Sequence, residues 1–294
     1  MVRIGWLSDS HIDPRESKWG AGELLTEDIT ALFEEYSIDF LFFNGDAVTR
    51  GDTFDAVGEG ATYEGDYYEH STPEFYSRFW ELVDQSGYGD RVAVVPGNHD
   101  IPLQYFLESD DRAHLRYKRT YDDGVTVLMV NTAGPGAVNG SVGSGYGWSV
   151  GYVPYKDLQW LDRQLAKAGN DTKIVYFHHH AWLTPGDPLA SAETDTLTQD
   201  QGYFVCQNYN AIHNILSSYN KVICPQGHTP QFRAEGSSQV DGVEYLYKKH
   251  YYDAQSHNGV TTYAYLDTTS EQCTVTTIDH NSDQEKVILD KTFL

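Results

Sequence analysis

Five strand-like runs of this chain each end in side chains that can bind a metal or move a proton. This recurrence constrains the fold more than any other feature. In chain order the run-end residues are Asp9 with His11, Asp46, Asn98 with His99 and Asp100, the triplet His178 to His180, and His228. Because α/β folds place their chemistry at the carboxyl ends of strands, the pattern predicts that these motifs gather at one rim of the molecule.

The hydrophobic pattern predicts helices and strands that alternate in the first half of the chain, followed by strands with few helices. Strands are predicted at 2–8, 38–43, 91–95, 113–120, 125–131, 173–177, 221–224, 243–248, 260–266, 273–278 and 286–289. Helices are predicted at 22–36, from Pro73 onward, at 155–168 and at 210–219, with long loops at 51–72, 134–152 and 183–207. This order predicts one domain over residues 1–294, with two sheets packed face to face and helices outside.

The composition is that of a globular protein, with 40% hydrophobic and 14% aromatic residues among 294. The first residues read as a strand without the apolar core of a signal peptide, and the three cysteines lack metal-like spacing, so we expect a cytoplasmic protein.

The 43 acidic and 20 basic residues give a net charge of −23, which favours a halophilic surface over an ordinary acidic one. Such a surface repels the phosphates of nucleic acids.

The mixture of carboxylate, amide and imidazole groups predicts a site for Mn, Fe, Zn or Co and excludes a soft thiolate site. Asp9 and His11 are two residues apart, so both would face the same side of a continuing strand and reach one ion. Gly45 lets the chain turn sharply before Asp46, whose carboxylate could bridge two ions. Each motif taken alone is more often a turn, a cap or a surface histidine, so the prediction depends on their joint occurrence.

The ordered set of motifs resembles the calcineurin-like metallophosphoesterase superfamily over roughly residues 2–232. The motifs are Asp9-x-His11, Gly45-Asp46, Gly97-Asn98-His99-Asp100, a strand-ending His and Gly227-His228. The resemblance implies an α/β fold, a four-layer α-β-β-α sandwich of two mixed sheets with a dinuclear metal site at one rim. It also implies two divalent ions, for which we expect Mn, with Fe, Zn, Co or Ni as alternatives.

The resemblance also assigns roles. It implies that Asp9 and His11 bind the first metal, that Asp46 bridges both metals, and that Asn98 and His228 bind the second. His99 resembles the family's catalytic histidine, which contacts the phosphate and protonates the leaving oxygen, and Asp100 would orient it or pack behind the ligands. Relatives carry a His two residues before a Pro. Ala181 would stand at that Pro here, which selects His179, with His178 as the alternative.

Two further positions depart from, or only partly match, the family pattern. The sequence from Gly45 to Gly51 is similar to that of phosphoprotein phosphatases, which makes Arg50 a candidate phosphate clamp and a third catalytic residue; Thr49 replaces that branch's Asp.

The last family motif, Gly-His-x-His, ends here in Pro230, which offers no ligand atom. Water could fill that position, Gln231, His250 or His257 could replace the ligand, or the first metal site could be lost. Asp13 is a spare carboxylate nearby.

The predicted function is hydrolysis of phosphomonoesters or phosphodiesters, nucleotide-like or otherwise small, by two-metal activation of water. One alternative is a nuclease of the same superfamily, for which the chain offers only short basic clusters at Arg112 to Arg119 and Lys248-Lys249. Another is a non-catalytic, metal-poor binding scaffold, which Pro230 would favour. We expect a small phosphoester partner and no membrane partner; nucleic acid is the less favoured partner.

Overall fold

Twelve strands form two six-stranded mixed sheets in the part of the chain that the structure describes. The structure is a computed structural model. It describes residues 1–12, 24–48, 73–100, 103–133, 151–180, 206, 208–228, 235–248, 262–280 and 282–293.

The first sheet has the strand order β12-β11-β10-β1-β2-β3. Its strands are β1 (Val2–Leu7), β2 (Phe40–Asn44), β3 (Val92–Val95), β10 (Thr262–Thr268), β11 (Gln272–Asp279) and β12 (Gln284–Thr292). Strands β1, β2 and β3 run parallel, whereas β10 lies antiparallel to β1 and starts an antiparallel meander. The carboxyl ends of β1, β2 and β3 therefore lie at one edge.

The second sheet has the strand order β4-β5-β6-β7-β9-β8. Its strands are β4 (Arg116–Tyr121), β5 (Val125–Val130), β6 (Lys173–Phe177), β7 (Val222–Gln226), β8 (Gly236–Val240) and β9 (Val243–Tyr247). Strands β5, β6, β7 and β9 are parallel, and the two edge strands β4 and β8 are antiparallel to their neighbours. The central strands are buried on both faces, as continuous apolar runs predict.

Helices cover the outer face of each sheet. They are α1 (Leu24–Glu34), α2 (Pro73–Gln85), α3 (Leu103–Ser109), α4 (Tyr155–Ala168) and α5 (Tyr209–Leu216), with a 3-10 turn at Gly89–Arg91. Apolar faces of α1 and α2 pack on the first sheet, and those of α4 and α5 pack on the second.

The core between the sheets is made by the inward-facing residues of their strands. On β1, Ile4 and Trp6 point inward while Leu7 points toward the helices. Phe42 of the first sheet stacks on Phe177 of the second, with ring centroids 5.4 Å apart. Three apolar layers thus separate four layers of secondary structure, which confirms the predicted α-β-β-α sandwich.

The predicted elements agree with the structure wherever the apolar pattern is strong. Helix α4 and strand β6 have the predicted bounds, and α2 begins at Pro73. The prediction missed α3, which buries only Phe106, and β8, whose sequence GSSQV has no apolar alternation. Strand β7 runs two residues beyond its predicted end, through Pro225 to Gln226.

Most of the predicted loops at 51–72, 134–152 and 183–207 lie outside the described residues. Among the residues described, no helix is both long and apolar enough to cross a membrane.

A buried carboxylate joins α1 to the end of β11. Asp28 is 2% exposed, and its Oδ1 lies 2.5 Å from Nδ1 of His280. The hydrogen bond with Asp28 raises the pKa of His280 above its ordinary value, and this effect outweighs burial, which lowers it. His114 is the opposite case, because burial lowers its pKa.

We expect the Asp28–His280 pair to stabilise the fold more at acid pH than at alkaline pH. A raised folded-state pKa gives stabilisation that is complete below the unfolded value of about 6.5 and is lost as pH rises through the folded value. Because His280 is partly exposed, His280→Gln should lower the free energy of unfolding by only about 0.5–1 kcal/mol at pH 6 and by less at pH 9. Urea unfolding at both pH values measures this.

His114→Gln is the matched control. The folded-state pKa of His114 is lowered. The free energy of unfolding of wild type, relative to that of this variant, should therefore increase as pH rises. A His280→Gln effect that stayed the same at pH 6 and pH 9 would contradict the assigned role of the pair.

Candidate metal centre

The polar motifs of five strand ends meet at one rim of the sandwich, where backbone hydrogen bonds link them. The amide of Asp9 donates to the carbonyl of Gly45 (2.8 Å), and the amide of His11 donates to the carbonyl of Asp46 (3.1 Å). In the second sheet, the amide of Gly227 donates to the carbonyl of His178 (3.2 Å). The convergence predicted from the sequence is therefore present in the described structure.

Four candidate ligands have left-handed backbone conformations. Their φ angles are 61° for Asp9, 46° for His11, 53° for Asp46 and 46° for His228. Non-glycine residues rarely adopt such angles, and backbone strain of this kind clusters at functional sites. Asp9 and His11 do not lie on a continuing strand as expected, because β1 ends at Leu7 and the chain turns after it.

The carboxylate of Asp46 lies at the centre of the site. Its Oδ2 atom is 3.2 Å from Nε2 of His179, 3.7 Å from Nε2 of His11 and 3.9 Å from Nδ1 of His228. Its Oδ1 atom accepts a hydrogen bond from the amide of His99 at 2.8 Å. Asp46 is 1% exposed, so imidazoles rather than water surround this carboxylate.

Two sets of side chains have ligand atoms close enough to share an ion, and Asp46 belongs to both. The His179 group consists of Asp9, Asp46, His179 and His228, and the His99 group consists of His11, Asp46 and His99. Within each group the ligand atoms lie within 4.8 Å of one another. Carboxylate and imidazole donors around the shared Asp46 carboxylate fit two borderline divalent ions, so the residues suit the expected metals.

His179 is oriented for binding by its neighbours. Its Nδ1 atom lies 2.8 Å from the carbonyl oxygen of Asn44, which can only accept, so Nδ1 carries the proton and Nε2 is left as the ligand atom. Nε2 also lies 3.1 Å from Oδ1 of Asn98, so this predicted ligand lies beside the His179 group. Glycines Gly45, Gly97 and Gly227 pack against this ring so tightly that an added Cβ would lie 2.5–2.9 Å from one of its atoms.

His178 points away from the ligand groups. Its Nε2 atom lies 3.1 Å from Nε2 of Gln226 and 3.7 Å from Sγ of Cys224, inside the second sheet. Burial lowers the pKa of His178 to about 3, so the ring is neutral. Of the two alternatives left open by the sequence, the geometry favours His179.

His180, the third member of the triplet, is also buried. Its Nδ1 atom lies 2.7 Å from Oγ1 of Thr132, and its ring centroid is 5.1 Å from that of His228. Burial, together with the neighbouring imidazole of His228, lowers its pKa well below the ordinary range. His180 therefore packs behind His228 as a neutral ring.

Asp100 contacts backbone groups. Its carboxylate accepts hydrogen bonds from the amides of Gly97 (2.8 Å), Ala47 (3.2 Å) and Val48 (3.3 Å). Burial and the nearby charge of Asp46 raise the pKa of Asp100 to about 7 despite these bonds. These contacts tie the loop that carries His99 to the turn that carries Asp46.

The electrostatics of the centre favour bound positive charge. Burial alone would raise the pKa of Asp46, but the imidazoles of His179 and His99 outweigh it and hold that pKa well below the usual range. Burial likewise disfavours a charged His179, yet the Asp46 carboxylate raises its pKa to about 9. A proton is held at the point between Asp46 and His179 where a divalent ion would bind, so metal binding should release it.

Lys248 is a buried cation that the sequence did not single out as part of the site. It is 1% exposed, and its Nζ lies 5.6 Å from the ring centroid of Trp6, whose indole donates to Asn44 (3.0 Å). Burial lowers the pKa of Lys248 to about 8, opposed by the carboxylates of Asp9 and Glu235. The sequence grouped it with Lys249 as a short basic cluster, and no local pattern marks it as buried.

Several candidates from the sequence lie outside the described residues. These are Arg50 with Thr49, Pro230 with Gln231, His250, His257 and Asp13. Their proposed roles, including the consequence of Pro230 for the first metal, remain predictions.

Comparison with known proteins agrees with the geometry of the site. The family model for calcineurin-like phosphoesterases matches residues 2–232, well over half of the chain. The chain therefore belongs to the calcineurin-like phosphoesterase family.

Individual relatives are distant. The glycerophosphodiester phosphodiesterase GpdQ of Enterobacter lignolyticus (strain SCF1) is 24% identical over 200 residues, covering 65% of this chain and 63% of the relative. The chain thus spans less than two thirds of that relative's length. The structure of PhoD has a TM-score of 0.50 at 11% identity, covering 99% of this chain and 72% of PhoD. A predicted phosphoesterase from Streptococcus pneumoniae TIGR4 has a TM-score of 0.42 at 12% identity, covering 99% of this chain and 98% of its own.

Gly97→Ala should disrupt the centre. A Cβ at this position would lie 2.2 Å from Oδ1 and 2.4 Å from the backbone N of Asp46, so the substitution must displace Asp46 itself. We expect a loss of about 1–3 kcal/mol in the free energy of unfolding and at least a tenfold weaker affinity for Mn. Chemical denaturation and metal titration measure the two effects.

Gly236→Ala is the matched control, because a Cβ there meets nothing within 4 Å. If Gly97→Ala bound Mn as wild type does, the close packing of this loop on Asp46 would be wrong.

The two neighbouring histidines should respond differently to the same substitution. His179→Asn removes a ligand that lies 3.2 Å from the shared carboxylate, so we expect Mn affinity to fall by about 100-fold. His178→Asn should leave Mn affinity within about threefold, because that ring faces Gln226. Elemental analysis after dialysis against limiting Mn compares them. The opposite ranking would show that His178 is the ligand.

Proposed function

We propose that this protein is a metal-dependent phosphoesterase that hydrolyses phosphomonoesters or phosphodiesters by two-metal activation of water. The observation that carries the proposal is the single carboxylate of Asp46, which belongs to both groups of candidate ligands. A bridging carboxylate is what a two-metal hydrolase needs to hold its ions about 3.5–4 Å apart. Membership in the calcineurin-like phosphoesterase family supports the same class of reaction.

The residues divide into two ligand sets in this proposal. Asp46 bridges, His11 serves the first metal, and Asn98, His179 and His228 serve the second, joined by Asp9, which the family resemblance assigns to the first metal. The geometry places Asp9 nearer the second set, since its Oδ1 lies 4.0 Å from Nε2 of His179 and it accepts from the amide of His228 at 3.3 Å. Divalent ions held here, with Mn as the expected metal, would supply Lewis acidity toward the phosphoryl oxygens and lower the pKa of water.

His99 is the proposed general acid for the leaving oxygen. It lies at the edge of the centre, 9% exposed, with its ring 4.6 Å from that of His11. The bond from its amide to Asp46 fixes its backbone relative to the bridging carboxylate. Asp100 holds this loop in place through Gly97, so we assign Asp100 to positioning and His99 to proton transfer.

Carboxylates already pair with the arginines of the basic cluster, which favours small substrates over nucleic acids. Arg112 pairs with Asp84 and Asp110, each at 2.6 Å, and Arg116 lies 3.4 Å from Asp157. Guanidinium groups held by carboxylates are poorly placed to track a phosphate backbone. The likeness to a glycerophosphodiester phosphodiesterase supports activity on small diesters.

The completeness of the described ligand set favours a catalytic protein over a binding scaffold. Every predicted ligand that falls within the described residues reaches one of the two groups or lies beside one. Four of these residues hold strained backbone conformations, which a purely structural rim would not need.

Replacing the bridging carboxylate should abolish turnover. We expect Asp46→Asn to reduce hydrolysis of bis-p-nitrophenyl phosphate with Mn by at least about 1000-fold, because the amide cannot bridge two cations as a carboxylate does. Release of p-nitrophenol at 405 nm is the readout. Asp290→Asn, on the exposed strand β12, is the charge-matched control. Unchanged turnover in Asp46→Asn would refute the proposed mechanism.

A further inference from the structure

Lys248 lies in the core between the two sheets, at the rim that carries the metal centre. Side chains on β9 alternate, so that Leu246 packs in the core between the sheets while Tyr245 and Tyr247 pack against the outer helices. Lys248 comes next and points inward, where its Nζ atom lies 5.6 Å from the ring centroid of Trp6. It is 1% exposed, so its ammonium group lies inside the protein.

Trp6 connects this ammonium group to the residues of the centre. Its indole Nε1 donates to Oδ1 of Asn44 at 3.0 Å, and the carbonyl oxygen of Asn44 lies 2.8 Å from Nδ1 of His179. Trp6 is also three residues before Asp9 in the segment that leaves β1 for the rim. One layer of side chains therefore separates Lys248 from the candidate ligands.

The strand register of the second sheet brings Lys248 to the same level. Tyr247 pairs with Gln226, and His228 follows Gln226 by two residues. The backbone amide of His228 donates to Oδ1 of Asp9 at 3.3 Å. The segments that follow β7, β9 and β1 thus meet around Asp9.

Asp9 is the main counter-charge of Lys248. A buried ammonium group is costly unless negative charge lies close to it. Two carboxylates act on Lys248, and that of Asp9 acts more strongly than that of Glu235. Glu235 also pairs with Lys286, 3.7 Å away, so two ammonium groups share its charge. The carboxylate that compensates Lys248 most is therefore itself a candidate metal ligand.

This arrangement sets the charge of Lys248 against the charge of a bound ion. In the empty centre the ammonium group stabilises the buried carboxylate of Asp9, which is 1% exposed. A divalent ion on the same carboxylate is repelled by the ammonium group, and the interior screens this repulsion much less than water does. The charge that stabilises the empty centre thus opposes its occupation.

We propose that Lys248 is a positioning residue of the metal centre, which holds the carboxylate of Asp9 in place before metal binds and lowers the affinity of the centre for the ion that Asp9 binds. The inference rests on the proposed metal-dependent function and adds a residue that regulates metal occupancy.

Lys173 offers a matched control at the opposite end of the second sheet. It is 0% exposed, its ammonium group donates to the carbonyl of Gln272, and its Nζ atom lies 4.6 Å from the ring centroid of Phe293. It begins β6, and His179 follows six residues later, roughly 20 Å along the strand direction. Lys173 is thus a second buried ammonium group over an aromatic ring, far from the candidate ligands.

The test is calorimetric titration of Mn into the metal-free full-length protein at pH 7. Lys248→Met removes the charge at similar volume, and we expect at least one Mn to bind about tenfold more tightly than to wild type, because a repulsion at low dielectric is removed. Lys248→Arg keeps the charge and should stay within about threefold of wild type, as should Lys173→Met. Damage to the structure alone would weaken Mn binding, so the direction of the change identifies the role.

Thermal unfolding with and without Mn gives a second measurement. Metal-free Lys248→Met should melt below metal-free wild type, because Asp9 has lost its counter-charge. Saturating Mn should raise the melting temperature of this variant by more than it raises that of wild type, since tighter binding to the folded state stabilises it more. A lysine that served only packing would lower both melting temperatures without enlarging the Mn-induced rise.

The outcomes separate this inference from the function on which it rests. If wild type binds no Mn, the proposed metal-dependent function fails and the inference fails with it. If wild type binds Mn and folded Lys248→Met binds it equally or more weakly, the role of Lys248 is overturned and the proposed function stands. Lys248→Gln, which also removes the charge, should show the same tightening and decides the matter should the methionine variant not fold.

Discussion

The candidate centre depends on one buried carboxylate and the need to compensate its charge. Asp46 is 1% exposed, so water cannot solvate it, and such a carboxylate is costly unless positive charge or hydrogen-bond donors surround it. The structure meets this need with three imidazole nitrogens within 3.9 Å of Oδ2 and one backbone amide on Oδ1. The same arrangement that compensates the charge creates two ligand sets that share the Asp46 carboxylate.

The sandwich supplies the rigidity that this arrangement requires. Asp9, His11, Asp46 and His228 hold left-handed backbone conformations, each of which costs on the order of 1–2 kcal/mol. Such conformations persist only where the surrounding structure fixes the chain. Here the parallel strands on both sides of the rim are buried on both faces, and glycines at 45, 97 and 227 let three loops close around His179.

Much of the fold follows from local pattern. Continuous apolar runs mark the central strands, and the spacing of leucines in α4 gives its bounds, since burial on two faces or on one helical stripe leaves a direct trace in the sequence. Elements with little burial leave no such trace. Strand β8 is a polar edge strand held by pairing with β9, and α3 buries only Phe106, so neither could be identified from its own residues.

The sequence by itself determined the chemistry of the ligands and their order along the chain, because residue type and the position after a strand are local properties. Tertiary structure alone decided which histidine of the triplet faces Asp46, since the carbonyl of Asn44, 135 residues away, orients His179. It also decided that Asp100 binds backbone amides and that Lys248 is buried beside Trp6. These facts depend on contacts between segments far apart in the chain, which local pattern cannot encode.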